Sequence, residues 1–192
     1  MWATQRACRP SHTDFAMCSR LCTGNDYSST FWLEQMRYVV GVGDMKVGGK
    51  GDILVTHALG SCLALMVYDP VERVGGLLHA MLPLSKINPQ KAKTNPFMFV
   101  DTGVPKLFEE IYSRNGQKTR LVVKVAGCSR PLGKNEMFRI GEMNYAVLKK
   151  LLRKNNILLN AEDIGGTDIR TVHFDLSTGR TIIKCKGPER EL

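Results

Sequence analysis

The stretch "CLALMVYDPVERVGGLLHAML", residues 62–82, constrains the fold of this chain more than any other. Two apolar runs, 62–68 and 73–82, flank Asp69-Pro70-Val71-Glu72. Asp-Pro opens turns well, because proline presets its own φ and the aspartate bonds the backbone just ahead of it. Short apolar runs bounded by turn signals read as strands, so the segment predicts a β-hairpin with a four-residue loop. If Tyr68 pairs with Arg73, then Cys62 faces His79. Directly opposed residues share a sheet face, with Cβ atoms about 4.5–5.5 Å apart. A slip of one residue would set Cys62 opposite Leu78 or Ala80 and break the relation.

A thiol and an imidazole on one face admit two readings. Free cysteine is among the most buried residue types, so Cys62 could be core, and Cys128 and Cys185 are expected to be. Histidine is less comfortable as packing, since its ring nitrogens need partners. The second reading is a nucleophile with its base: the imidazole takes the thiol proton, and the imidazolium then stabilises the thiolate. Gly60 lets the backbone turn tightly before Cys62, and N–H groups near Ser61 and Cys62 could point at a developing oxyanion. His57 is a rival base, but the hairpin pairing favours His79.

Composition excludes several classes. The chain has 192 residues, 43% hydrophobic and 23% charged, enough for one domain with a sizeable core. No apolar run is long enough to span a membrane, and the N-terminus lacks the apolar region of a secretory signal. A cytoplasmic protein is expected, with its six cysteines as reduced thiols. The net charge of +9 favours an acidic partner. Lys and Arg are scattered and not interleaved with aromatics, so nucleic acid is not the expected partner.

Residues 1–36 are rich in Ser, Thr and Cys without a sustained period and are expected to be a disordered extension; Met36 would make a natural start. Cys8, His12, Cys18 and Cys22 have the spacing C-x3-H-x5-C-x3-C, which is not a usual zinc pattern, so no metal is expected. Residues 37–192 read as a single domain. "RYVVGVGDMKV" is expected as one strand interrupted by glycine, "ILVT" and "TRLVVKVAGC" as strands, and Ser85–Pro96 as a loop. Val104, Leu107, Phe108 and Ile111 have helical spacing, with Gly116 as a stop; Tyr145, Leu148, Leu151 and Leu152 mark a second amphipathic helix. "RTVHFDLSTGRTIIKCKG" predicts a hairpin turning at Ser177-Thr178-Gly179. Strands outnumber helices and the helices come late, which favours an α+β fold over a strictly alternating parallel sheet.

These segments resemble the chemoreceptor glutamine deamidases (CheD) from about Tyr38 to Lys186. The motifs are "GVGDMKV", "VTHALGSCLALMVYDP", "GGLLHAMLP", "KVAGCSR", "RIGEMNYAVLKKLL" and "EDIGGTDIRTVHFDLSTG"; the arrangement Thr-x5-Cys-x16-His is their specific part. The resemblance implies two mixed β-sheets packed together with flanking helices, similar to the deamidating toxins. It implies a cysteine hydrolase, without a cofactor, that converts receptor glutamines to glutamate through a thioester on Cys62. His79 would be base and acid, and Thr56 would orient it. The implied partners are the helical bundle of a chemotaxis receptor and a CheC-type phosphatase; some members are credited with methylesterase activity. A binding module that regulates such a phosphatase is the alternative. Cys128 stands where members often have Gly or Ala. Asp163 and Arg170 read either as turn and ion-pair residues or as part of the family's pattern.

Overall fold

The computed structural model describes residues 36–130 and 139–192. Among the described residues ten strands form two five-stranded sheets. The elements run β1 (Arg37–Val39), β2 (Asp44–Gly48), β3 (Ile53–Leu59), β4 (Leu63–Asp69), β5 (Val74–Ala80), α1 (Pro89–Thr94), α2 (Val100–Ser113), β6 (Val122–Gly127), α3 (Ile140–Lys154), β7 (Ala161–Ile164), β8 (Arg170–Asp175), β9 (Thr181–Lys184) and β10 (Arg190–Glu191). The first sheet has the order β1-β3-β8-β9-β10 and the second β2-β5-β4-β6-β7. The pairs β1/β3 and β6/β7 are parallel and the rest antiparallel, so both sheets are mixed as the resemblance implies. Among the described residues no helix is long and apolar enough to cross a membrane. The cysteine–histidine set at residues 8–22 and all of the expected extension but Met36 lie outside the described residues.

"RYVVGVGDMKV" is two strands rather than one. β1 joins the first sheet and β2 the second, and the chain crosses between them over residues 40–43. Gly43 makes the crossing possible: its φ of +69° is left-handed, and a Cβ there would meet the Met98 side chain at 2.8 Å.

The core has two layers. Leu54, Leu59, Ala64, Met66, Leu77, Val172, Phe174 and Ile183 fill the space between the sheets. Leu63, Leu65, Val67, Leu78 and Ala80 point the other way, against Leu107 and Ile111 of α2 and Leu148 and Leu152 of α3. β4 and β5 are therefore covered on both faces, and all seven residues of each are buried. That is why their sequences run apolar without alternation. The glycine pair in β5 serves both layers at close range: a Cβ on Gly75 would meet Leu176 at 2.5 Å, and one on Gly76 would meet Leu107 at 2.5 Å.

The β4–β5 hairpin forms, but two residues out of the expected register. Tyr68 pairs with Gly75 and Ala64 with His79; Asp69 is the last strand residue, opposite Val74. The loop is Pro70-Val71-Glu72-Arg73. Asp69 dictates this, because its carboxylate accepts from the Val71 and Glu72 N–H groups (2.9 and 3.2 Å) and so caps the turn from inside the strand. Arg73 takes the left-handed φ of +51° that closes it. Asp69 is itself fully buried against Arg120 at 2.6 Å. Burial pushes its carboxyl upward, but the Arg120 guanidinium and the backbone amides outweigh that and hold it below the usual aspartate range.

Candidate active site

Thr56, Cys62 and His79 come from different segments but one layer. Thr56 shares the face of Leu54 on β3, and His79 the face of Leu77 on β5; Cys62, one residue before β4, packs on the same inter-sheet cluster. Cys62 is not directly opposite His79, as the expected register had it. Ala64 takes that place, and Cys62 sits diagonally, one step along the same face. The error of two residues preserves the face, which an error of one would not.

Thr56 Oγ1 lies 2.7 Å from His79 Nδ1 and 2.7 Å from the Val40 carbonyl oxygen. A hydroxyl has one proton, and Val40 O can only accept. Thr56 therefore donates to Val40 and accepts from Nδ1–H, which leaves Nε2 as the basic nitrogen. Nε2 is buried and has no partner among the described residues. A buried unpaired acceptor costs about 1–3 kcal/mol, so the arrangement is not one that packing favours. The imidazole is immobilised further by its backbone: His79 pairs with Ala64 on one side and Asp44 on the other.

Burial controls the charges here. It lowers the His79 pKa to about 4 and raises that of Cys62 above its ordinary value, the latter partly offset by Cys62's own N–H at the sulfur. Both shifts disfavour the charged forms. Burial thus works against charging either group, and so against the thiolate–imidazolium pair expected from sequence.

The loop before Cys62 is built by its carbonyls. Gly60 O accepts from Ser129 N (2.9 Å) and Cys62 O from Cys128 N (2.7 Å), while Ser61 O accepts from the side chain of Asn144 (3.2 Å). Among the described residues, no acceptor pairs with the Ser61 or Cys62 N–H. The tight backbone at this loop is not at Gly60, where φ is not left-handed and no atom lies within 4 Å of a would-be Cβ. It is at Ala58, with φ +54° beside a bulge in β3, and at Gly127, where a Cβ would lie 2.4 Å from Cys62 O.

The other candidates separate cleanly. His57 is exposed on the opposite face of β3, edge-on to His173 at 6.5 Å. Cys128 is buried core as expected, its thiol pushed up to about 12 by burial. Cys185 is not core: it is only partly buried and takes a bond from Arg190 (3.0 Å). Asp163 and Arg170 form a buried ion pair at 3.1 Å, and Arg170 also donates to Ser129 Oγ, so the pair braces the segment that holds Gly60. Among the described residues no group of three or more His, Cys, Asp or Glu side chains is placed to hold a metal. Asn144 was given no role from sequence. The available signal was its position: with Leu148 and Leu152 it falls on the buried stripe of α3, a polar residue among apolar ones.

A thiol, a tautomer-fixed imidazole and two amides without an oxygen or nitrogen acceptor among the described residues lie at the seam of the two mixed sheets. The chain belongs to the CheD family. The family model for CheD chemotactic sensory transduction matches residues 81–185. A Syntrophus aciditrophicus protein named "Probable chemoreceptor glutamine deamidase CheD 1" is 49% identical over 156 residues, covering 80% of this chain and 98% of that protein. "Probable chemoreceptor glutamine deamidase CheD" proteins from Solibacter usitatus and Pyrococcus horikoshii are each 43% identical, covering 80% and 73% of this chain and 92% and 87% of their own lengths. The family-model match begins after Thr56, Cys62 and His79. An alignment over 156 of 192 residues spans all three positions wherever it starts.

Proposed function

We propose that this protein deamidates glutamine side chains of chemotaxis receptors, with Cys62 as nucleophile, His79 as base and then acid, and Thr56 as the residue that orients His79. The observation that carries this reading is the Thr56–His79 hydrogen bond, which leaves Nε2 unpaired on the face that holds the thiol. The names of the relatives support the substrate.

Burial that disfavours both charged forms sets the order of events. As the thiol sulfur bonds to the carboxamide carbon, its proton passes to His79 Nε2 and the carbonyl electron pair moves onto oxygen. The unpaired Ser61 and Cys62 amides receive that oxyanion. The imidazolium returns its proton to the amide nitrogen, the C–N bond breaks and ammonia leaves a thioester. His79 then takes a proton from water, whose oxygen attacks the thioester, and returns it to the sulfur as glutamate departs. Thr56 is neutral and stabilises the imidazolium less than an aspartate would, so turnover is slow.

The receptor surface we propose is an acidic helical one, reached from the cytoplasm. Lys86, Lys91 and Lys93 are exposed on and before α1, and none pairs with an acidic side chain among the described residues. This segment leaves β5 just after His79 and is pinned back by Met81 and Leu82 N–H bonds to Met98 O (2.9 and 3.0 Å). Its charge can steer an acidic surface toward the site. A CheC-type phosphatase is the proposed second partner, to be tested by phosphatase assay with and without this protein.

The deciding experiment incubates the protein with a chemoreceptor cytoplasmic fragment and follows amide-to-acid conversion by mass spectrometry. Conversion by wild type and none by Cys62→Ala is expected. No conversion by wild type would sink the enzyme reading; conversion by the variant would sink the nucleophile.

A further inference from the structure

We infer that Asn144 is the positioning residue that aims the oxyanion-binding amide of Cys62. Its side chain is fully buried on α3, and Nδ2 donates to two carbonyls at once: Ser61 O at 3.2 Å and Met81 O at 3.0 Å. One belongs to the residue before Cys62 and the other lies two residues after His79. The amide orientation is set by chemistry, since the flipped rotamer would place Oδ1 against two carbonyl oxygens. Oδ1 is left buried without a partner among the described residues. A core asparagine serving packing alone would be satisfied at both ends.

The consequence runs through peptide geometry. In a trans peptide unit the C=O and N–H point in opposite directions. Ser61 O and Cys62 N–H belong to one unit. By drawing Ser61 O toward α3, Asn144 turns the Cys62 N–H the other way, away from α3. Ser129 N does the same for the unit before it through Gly60 O, and so sets the Ser61 N–H. Two successive amides are thereby aimed by anchors on their carbonyls, and Asn144 is the side-chain anchor. As the S–C bond forms and the carbonyl electron pair moves to oxygen, the aimed amide is already in place.

The inference rests on the proposed deamidation and is tested on the full chain. Deamidation of a receptor fragment and alkylation of Cys62 by iodoacetamide are measured for wild type, Asn144→Ala and the isosteric Asn144→Asp. Alkylation uses the same thiol but develops no oxyanion. The expected result is a fall in kcat of about tenfold or more with KM little changed, while the alkylation rate stays near wild type. Retention of kcat in a folded variant overturns the inference. So does a parallel fall of kcat and alkylation, or failure of both variants to fold, because each marks Asn144 as structural only. Absence of deamidation by wild type fails the parent reading instead.

Discussion

The hairpins β4–β5 and β8–β9 are built on one device and differ in what surrounds it. Each has an aspartate as the last residue of its first strand, and each aspartate caps the following turn: Asp69 bonds the N–H groups of Val71 and Glu72, Asp175 those of Ser177 and the hydroxyl of Thr178. β8 alternates buried and half-buried residues, whereas β4 is buried throughout. The second hairpin turns where its sequence predicts, with Gly179 N–H bonding Asp175 O at 2.8 Å. The first turns two residues later in register than its sequence suggested. A half-buried strand writes its inward face into its pattern, and a strand buried on both faces does not. The hairpin whose register is least visible is also the one that carries His79 and leads out of Cys62.

The largest effect falls on the nucleophile: Cys62→Ala should abolish deamidation of a receptor fragment, while Asp175→Ala in the second hairpin should leave the specific activity of folded protein near wild type. Equal losses would dissolve the distinction between the hairpins. Next, Thr56→Val should lower kcat by about 100-fold or more, because the imidazole loses the group that fixes its tautomer. Thr56→Ser, which keeps the hydroxyl, should recover most of the activity.

Stability separates the two aspartates. Asp69→Ala removes a buried carboxylate that accepts from the Val71, Glu72 and Gln117 N–H groups and from Arg120, which keeps Glu72 as a partner, and should cost about 2 kcal/mol or more. Asp175→Ala removes exposed or half-exposed bonds and should cost about 1 kcal/mol. Denaturant midpoints at constant m-value measure the contrast, and equal costs would mean that burial does not distinguish the turns.

Acid titration gives a smaller effect. The folded-state pKa of His79 lies near 4, below its ordinary 6.5, so the folded state resists the proton that the unfolded chain accepts. Its contribution is present above pH 6.5 and is lost as pH falls toward 4, up to about 3 kcal/mol. His79→Leu should flatten stability over that window. His173 of the second hairpin is also lowered, by burial first and then by Lys184, Arg37 and His57, but it titrates alike in wild type and variant. An unchanged pH slope in His79→Leu would show that the imidazole is not held neutral. Asp69 acts lower: its depressed carboxyl stabilises above the usual aspartate range and loses that as pH falls through its folded value. The smallest effect is on ionic strength, where the deamidation rate should fall as salt rises, and the fall should shrink when Lys86, Lys91 and Lys93 are replaced by Gln.

Much of the site was legible in the linear order of residues. Cys62 and His79 stand out as a thiol and an imidazole in apolar runs, and their shared face survives in the fold, whereas Thr56 was pointed to only by the family resemblance. The amphipathic helices were legible too, because Leu107, Ile111, Leu148 and Leu152 recur at the period of a helix with one buried side. The split of "RYVVGVGDMKV" between two sheets was not, since local pattern carries no record of which sheet a strand joins.

What the chain determined by itself was residue chemistry and the parity of side chains along each strand, both local properties of a polypeptide. Register, tautomer, charge state and the aim of the amides were decided only in the tertiary structure. Each depends on a group far away in sequence: Val40 O for the Thr56 proton, two covering layers for the burial of thiol and imidazole, Asn144 for the Ser61–Cys62 peptide. A hydrogen bond or a desolvated environment exists only once those distant groups meet.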